Sequence, residues 1–199
     1  MKKESQVIFD KNVIEFVTVA AEFCAFLERA ESMKRSTFVD TTLKILPLLY
    51  LKASMLPKCE MIGDESPETY VTEEIYEVLR INLASILAEK DDYLEVFLPD
   101  MAYSDEPIKK NISEDLADIY QDIKDFIFVF QLGLNETMND SLAICQENFG
   151  LLWGQKLVNT MRALHDVKYS PKARGEDEEE EEYEPENNGD CHCEDDDCH

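Results

Sequence analysis

The sequence predicts an all-α fold, a compact bundle of about five helices over residues 1–170 with a disordered acidic tail over 171–199. Apolar residues recur every three or four positions in several long segments, which is the period of an amphipathic helix. No alternating runs bounded by hairpin turns are evident. After Pro171 the composition changes abruptly to a run of acidic residues that has too few apolar groups to offset chain entropy.

The first two helices are predicted from their apolar spacing. The first runs from about Gln6 to Glu31, with charged residues between its apolar positions, Phe9, Val13, Phe16, Ala20, Phe23 and Leu27. A second helix, capped by Ser36 or Thr37, is apolar almost all round, so we expect it to be central and buried. Pro47 lies inside this helix and predicts a kink, because proline lacks an N–H and clashes with the preceding turn.

A loop and a third helix follow. Residues 57–72 contain the glycine, prolines and short polar residues that are typical of loops. Thr72 offers a capping hydroxyl, and Glu73 and Glu74 place two anions at the positive end of a helix. The third helix is therefore predicted to begin after Thr72 and to end near Lys90.

The second half of the chain contains an irregular connection and two more helices. Residues 91–110 hold an apolar patch that we expect to pack as a short helical turn, namely Tyr93, Leu94, Val96, Phe97 and Leu98. The fourth helix begins at Ser113 and ends near Gly133. The last helix runs from about Glu136 to Asp166.

Charge and cysteine usage restrict the classes of partner and compartment. Of 44 acidic residues, 14 follow Arg174, so residues 1–174 carry 30 acids against 19 bases, a formal charge of −11. Such a chain repels phosphate backbones and anionic membranes, which disfavours nucleic-acid and membrane binding and favours a basic protein partner. We expect Cys24, Cys59 and Cys145 to be free thiols of a cytoplasmic protein, without a secretory signal or a transmembrane helix.

Three short motifs resemble a known family. They are the segment Asp-Asp-Tyr-Leu-Glu-Val-Phe at 91–97, the pair Trp153–Gly154, and Ala-Leu-His at 163–165. Together they resemble the uncharacterised bacterial family called domain of unknown function 5063, over roughly residues 7–165. The resemblance implies an all-helical fold and carries no activity, cofactor or catalytic residue to this chain.

The tail contains a candidate metal site. Five thiol or imidazole donors lie within its last nine residues, namely Cys191, His192, Cys193, Cys198 and His199. These are the ligand types that bind Zn²⁺ or Cu(I) in four-coordinate sites, and neighbouring carboxylates attract cations. The alternative is an acidic tail with incidental cysteines, because a flexible segment has to be ordered when it binds metal.

The fourth helix carries a row of aspartates, Asp115, Asp118, Asp122 and Asp125, which span an arc of about 80°. Such a row can coordinate Ca²⁺ or Mg²⁺ or attract a basic partner. The interpretation that we favour is the solvated side of an ordinary surface helix.

Catalytic arrangements are not evident in the sequence. There is no Glu-x-x-His motif for a di-iron site, no nucleophile elbow and no phosphate-binding glycine loop. His165 is assigned a capping role near the end of the last helix, and Cys59, beside Lys58 near a loop, is the best candidate for a reactive thiol. We interpret Trp153–Gly154 as a core indole beside a close approach of a neighbouring helix.

Three hypotheses for function follow. The first is a non-enzymatic helical interaction or adaptor protein, which the acidic surface favours. The second is a metal-binding protein that uses the tail. The third is an enzyme with a pocket between helices, which a convergent cluster of polar residues would support and an apolar core would oppose.

Overall fold

The computed structural model describes residues 7–95 and 108–170, and these form a helical bundle with one small hairpin. The all-α prediction is confirmed. The helices and strands, in chain order, are α1 (Lys11–Glu28), α2 (Arg35–Ser54), α3 (Glu73–Leu87), β1 (Asp92–Glu95), β2 (Ile108–Asn111), α4 (Ile112–Gln131), α5 (Asn135–Asn148) and α6 (Gly154–Tyr169). Since α5 and α6 are joined by a single π-helical turn, they form one continuous helix, and the bundle has five helices within the described residues.

A local hydrogen bond determines where α1 begins. The Asp10 carboxylate accepts a hydrogen bond from the backbone N–H of Asn12 at 2.8 Å, so α1 begins at Lys11 and the residues before it form a short 3₁₀ turn. Phe9, predicted to lie on the apolar face of this helix, is instead 64% exposed, and Ile8 occupies the core.

Two predictions about α2 are wrong. The helix begins at Arg35 after Lys34, so Ser36 and Thr37 lie inside its first turn and neither caps it. It is also not buried all round: α2 packs against α1 and α6 on one side, and several apolar side chains of the other side are exposed, namely Leu48, Tyr50, Leu51 and Met55. The helix continues through Pro47 without a break.

The loop and the third helix agree with the sequence. Thr72 accepts a hydrogen bond from the N–H of Ile75 at 3.3 Å, and α3 ends at Leu87 with a 3₁₀ turn to Lys90. The predicted helical turn at Tyr93 and Leu94 is wrong, because these residues belong to β1, which pairs in antiparallel fashion with β2. The rest of that apolar patch, 96–98, lies outside the described residues.

A buried aspartate joins the hairpin to α4. The Asp91 carboxylate accepts hydrogen bonds from both the N–H and the hydroxyl of Ser113, each at 2.7 Å. Asp91 therefore caps the first turn of α4, and Ser113, which was predicted to begin the helix, lies one residue inside it.

The last helix contains a π-helical turn at Phe149–Trp153. The N–H of Gly154 donates to the carbonyl of Phe149, five residues earlier. A Cβ on Gly154 would lie 2.3 Å from that carbonyl oxygen and 2.9 Å from the Phe149 ring, so only glycine fits. The glycine thus accommodates its own helix, whereas the sequence predicted a close approach of a neighbouring one.

All five helices contribute side chains to the core. Trp153 is fully buried, as predicted, and its indole N–H donates to the carbonyl of Cys145 at 3.1 Å. The Phe16 ring lies 5.5 Å from that of Phe126 and 6.5 Å from the indole of Trp153. Across the part of the chain that the structure describes, no helix is long and apolar enough to cross a membrane.

Candidate functional site

The aspartate row of α4, defined as Asp115, Asp118, Asp122 and Asp125, is not the solvated surface that the sequence predicted. Asp115 is buried and the other three are partly buried. The correction has a simple cause: neighbouring elements supply a hydrogen-bond donor to each carboxylate, and a carboxylate with donors tolerates burial.

Each aspartate of the row contacts a different element. Asp115 accepts from the hydroxyl of Tyr93 on β1 at 2.5 Å. Asp118 accepts from the hydroxyl of Tyr76 on α3 at 2.8 Å and forms an ion pair with Lys156 on α6.

The other two aspartates hold α5 and the loop before α3. Asp122 accepts from the side-chain amide of Asn148 on α5 at 2.6 Å. Asp125 accepts from the backbone N–H groups of Tyr70 and Val71 at 2.7 and 2.8 Å. The row therefore connects α4 to five other parts of the bundle.

Three of these aspartates line a cleft of about 430 Å³ between α4, the last helix and the loop before α3. Its walls combine the carboxylates with apolar side chains from both helices, and Leu152 comes from the π-helical turn. The full lining is Pro67, Glu68, Thr69, Asp118, Gln121, Asp122, Asp125, Phe126, Val129, Ser141, Ile144, Cys145, Asn148, Leu152 and Lys156.

Burial dominates the electrostatics of the cleft. Loss of water around the carboxylates raises the pKa of Asp122 and of Asp125, although a hydrogen bond from Asn148 opposes the shift at Asp122 and the two backbone N–H groups oppose it at Asp125. Burial alone would lower the pKa of Lys156, but its hydrogen bond to Asp118 and the negative charge there raise it. Lys156 is therefore a permanent cation at one end of the cleft.

The lining supplies acids and one cation, while the Ser141 hydroxyl and the Cys145 thiol are poor nucleophiles where they lie. The Ser141 hydroxyl donates to the carbonyl of Met138 at 3.0 Å, and burial raises the pKa of the Cys145 thiol well above its usual range. The core is nevertheless not apolar throughout, because the row brings polar groups from several elements together. Such a cluster is the feature that would support the third hypothesis, an enzyme with a pocket between helices, and it suits a binding pocket equally well.

The structure answers some of the predictions for cysteine and histidine. Cys24 and Cys145 are buried free thiols, as expected. Cys59 is half-buried, its thiol contacts Asn139, and burial followed by the negative charge of Asp140 raises its pKa, so it lacks the low pKa of a reactive thiol. His165 is exposed on α6 with its ring 4.6 Å from that of Tyr169.

The metal predictions have different outcomes. Within residues 7–95 and 108–170, no three Asp, Glu, His or Cys side chains are arranged to hold a metal ion, so the row does not form the Ca²⁺ or Mg²⁺ site that its spacing allowed. The five tail donors, Cys191, His192, Cys193, Cys198 and His199, lie outside the described residues. The tail site stays a prediction.

Sequence reasoning found the aspartates but missed their partners. Tyr76, Asn148 and Lys156 lie far from the row in sequence, and only the packing of α3, α5 and α6 on α4 brings them to it. The sequence signal that could have found these partners is a set of polar side chains, such as Asn148, at positions next to the apolar face of a long helix.

Comparison with known proteins gives a family model and a solved structure that match this chain. The model of a family described as a domain of unknown function, DUF5063, matches residues 7–170. A crystal structure of protein BF1032 from Bacteroides fragilis is 93% identical, covers 85% of this chain and 99% of its own, and superposes with a TM-score of 0.77. No curated protein matches. The resemblance inferred from the three short motifs is thus confirmed, and the chain belongs to the DUF5063 family.

Proposed function

We propose that this protein is a non-enzymatic helical interaction protein, or adaptor, whose cleft receives a cationic side chain of a basic partner protein. The observation that supports the proposal is the state of two cleft carboxylates. Asp122 and Asp125 each use one oxygen, Oδ1, to accept hydrogen bonds, and no residue that the structure describes donates to either Oδ2. The cleft therefore offers two carboxylate oxygens that no described residue contacts with a donor or a cation, because Lys156 pairs with Asp118 instead.

The cleft suits a charge that is carried on an apolar stem. Lysine and arginine side chains have such stems, and apolar walls would pack against them, namely Phe126, Val129, Ile144 and Leu152. Burial has already removed water from the carboxylates, so an ammonium or guanidinium group relieves a cost that the folded protein carries. The formal charge of −11 on residues 1–174 attracts such a partner over a longer distance.

Binding of an oligolysine peptide tests the proposal. The variant pair Asp122→Asn with Asp125→Asn removes two charges from the cleft and preserves side-chain shape. The matched control is Glu22→Gln with Glu31→Gln, two exposed acids outside the cleft. Isothermal titration at low salt should show affinity reduced about tenfold in the cleft variant and nearly unchanged in the control.

Two results would contradict the proposal. Equal losses of affinity in both variants would mean that the peptide responds only to the net charge of the protein. Binding whose affinity does not change with salt concentration would exclude an electrostatic contact.

Affinity capture with the same two variants then identifies the natural partner, since a cleft-dependent partner is retained by the control and lost by the cleft variant.

A further inference from the structure

The connection between α2 and α3, residues 57–72, has no secondary structure of its own and is held at two places by carboxylates. At the first place Asp140 on α5 accepts from the N–H groups of Ile62 and Gly63 at 2.7 and 2.8 Å. At the second place Asp125 on α4 accepts from Tyr70 and Val71. Each carboxylate thus binds two consecutive backbone N–H groups.

The first attachment is reinforced by further hydrogen bonds. Asp140 is buried, and its two oxygens each take one N–H of the loop. The side-chain amide of Asn139 donates to the carbonyl of Glu60 at 2.7 Å, and that of Gln146 donates to the carbonyl of Pro57 at 3.1 Å. A Cβ on Gly63 would lie 2.7 Å from Asp140 Oδ2, so the backbone lies directly against the carboxylate.

The second attachment has fewer hydrogen bonds, although the side chain of Val71 is buried, and it belongs to the cleft. Both N–H groups share a single oxygen, Oδ1 of Asp125, and Asp125 lines the cleft. The Tyr70 ring adds a stacking contact with Phe128, with centroids 4.6 Å apart.

The segment between the attachments, residues 64–69, forms one wall of the cleft through Pro67, Glu68 and Thr69. All six residues are exposed except Pro67, which is half-buried. None of the six forms a hydrogen bond or ion pair with any residue in the described part of the chain. We call residues 64–69 the strap.

We propose that the strap opens away from the cleft by releasing Tyr70 and Val71 from Asp125, while its other end stays fixed at Gly63 on Asp140. The unequal attachments determine which end moves, because local opening follows the region with fewer hydrogen bonds, and only two hold Tyr70 and Val71. Opening would remove one wall of the cleft and free Oδ1 of Asp125, which holds Tyr70 and Val71 at the end of the strap. This movement controls access to the cleft whatever ligand the cleft takes.

The test uses the unliganded full chain and two matched variants. Asp125→Ala removes the attachment, whereas Asp122→Ala removes an equal charge from the same cleft without touching the strap, because Asp122 binds Asn148 instead. A protease that cuts after glutamate can cleave the strap at Glu65 and Glu68. Hydrogen exchange of the Tyr70 and Val71 amides is measured in parallel.

We expect Asp125→Ala to accelerate cleavage of the strap about tenfold, which corresponds to about 1.4 kcal/mol of opening free energy at 25 °C. The Tyr70 and Val71 amides should lose protection, and the Ile62 and Gly63 amides should keep theirs. Asp122→Ala should behave as the wild type in both measurements. If Asp125→Ala proves too unstable, Asp125→Asn, which keeps the shape but accepts more weakly, should show a smaller change in the same direction.

Three outcomes would overturn the proposal: equal acceleration by both variants, no acceleration by either, or loss of protection that extends over residues 56–63 in Asp125→Ala. The last result would mean that the loop opens together with its first attachment. Because no cation is added, these outcomes are distinguishable from a failure of the oligolysine titration.

Discussion

Lys156 on α6 donates a charged hydrogen bond to Asp118 on α4, and the same carboxylate accepts the hydroxyl of Tyr76 on α3. Three helices are therefore fixed at one carboxylate at the end of the cleft. Both members of the ion pair are partly exposed, 35% for Lys156 and 25% for Asp118. Its contribution to stability is accordingly modest, and its main effect is on the charge of the cleft.

Replacing Lys156 by Met should make the cleft more attractive to cations. The change removes the cation that partly lowers the pKa of Asp115 and Asp122, so both pKa values should rise further. We expect stability to fall by about 1 kcal/mol and affinity for oligolysine to increase. Carboxyl NMR titration and calorimetry measure these effects. Unchanged affinity would show that Lys156 does not influence the cleft.

Alanine substitutions at two glycines of the last helix should differ in their effect on stability. Gly154→Ala places a Cβ against the Phe149 carbonyl and should destabilise the fold by about 2 kcal/mol or more. Gly150→Ala, four residues earlier in the same helix, meets nothing within 4 Å and should be neutral or slightly stabilising. Urea unfolding compares them. Similar destabilisation by both would contradict the assigned role of Gly154.

Thr160→Val should stabilise the protein. Thr160 is fully buried in α6, and its hydroxyl oxygen has no hydrogen-bond partner among the described residues. Valine has nearly the same shape without the unsatisfied polar group, so the free energy of unfolding should rise by about 1 kcal/mol. Thr42→Val is the control, because the buried Thr42 hydroxyl donates to the carbonyl of Phe38 at 2.7 Å, and its removal should bring no such gain.

Stability should rise on mild acidification. Burial raises the pKa of Asp115, Asp122 and Asp125, so the folded state holds these protons more tightly than the unfolded state. Keeping these buried carboxylates ionised lowers the free energy of unfolding at every pH above their raised pKa values. This loss of stability disappears as the pH falls through those values and the carboxylates are protonated. Urea unfolding between pH 7 and pH 4 should show this gain, and the variant with Asp122→Asn and Asp125→Asn should show less of it.

Strong acid should reverse the trend. Hydrogen bonds from Lys168 and then Lys44 lower the pKa of Asp40 to about 2, so its stabilising effect is present above the ordinary pKa and disappears only as the pH falls toward 2. Asp40→Asn should therefore remove part of the loss of stability between pH 4 and pH 2. If Asp40→Asn loses as much stability between pH 4 and pH 2 as the wild type, a contribution from Asp40 is excluded.

Zinc binding should depend on the tail. The full chain, purified under reducing conditions, should bind Zn²⁺ or Cu(I) through the predicted donors, and a shortened chain that ends at Arg174 should not. The control is the full chain with Cys191, Cys193 and Cys198 replaced by serine, which keeps the acidic charge. Equal metal binding by all three proteins would remove the tail from consideration.

The helices were predictable because their signals are local. Apolar spacing located all of them, and Thr72 followed by two glutamates located the start of α3 to the residue. The β-hairpin was missed because each strand has four residues and the two are separated by residues 96–107, so no alternating pattern is visible. The exposed side of α2 was missed because burial depends on which neighbours a helix has.

The aspartate row was predictable as a pattern but not as a site. Helical geometry placed the four carboxylates on one arc, and the same geometry cannot tell a solvated border from a packed one. Their burial follows from donors on β1, α3, α5, α6 and a loop, which tertiary packing alone brings together. The cleft was therefore not predictable from the sequence, although two of the three parts of the chain that form it are helices.

The π-helical turn at Phe149–Trp153 also sets the rotational phase of everything that follows it. An α-helix advances about 100° per residue, so deleting one residue from this turn would restore regular geometry and rotate α6 by that angle relative to α5. Lys156 would leave Asp118, and the face of α6 that packs on α2 and α4 would turn toward solvent. The last helix can thus pack on α4 through α5, and on α2 and α4 through α6, only while the hydrogen bond from Gly154 to the carbonyl of Phe149 is kept. The number of residues between Asn148 and Gly154 is therefore as constrained as the identity of any core residue.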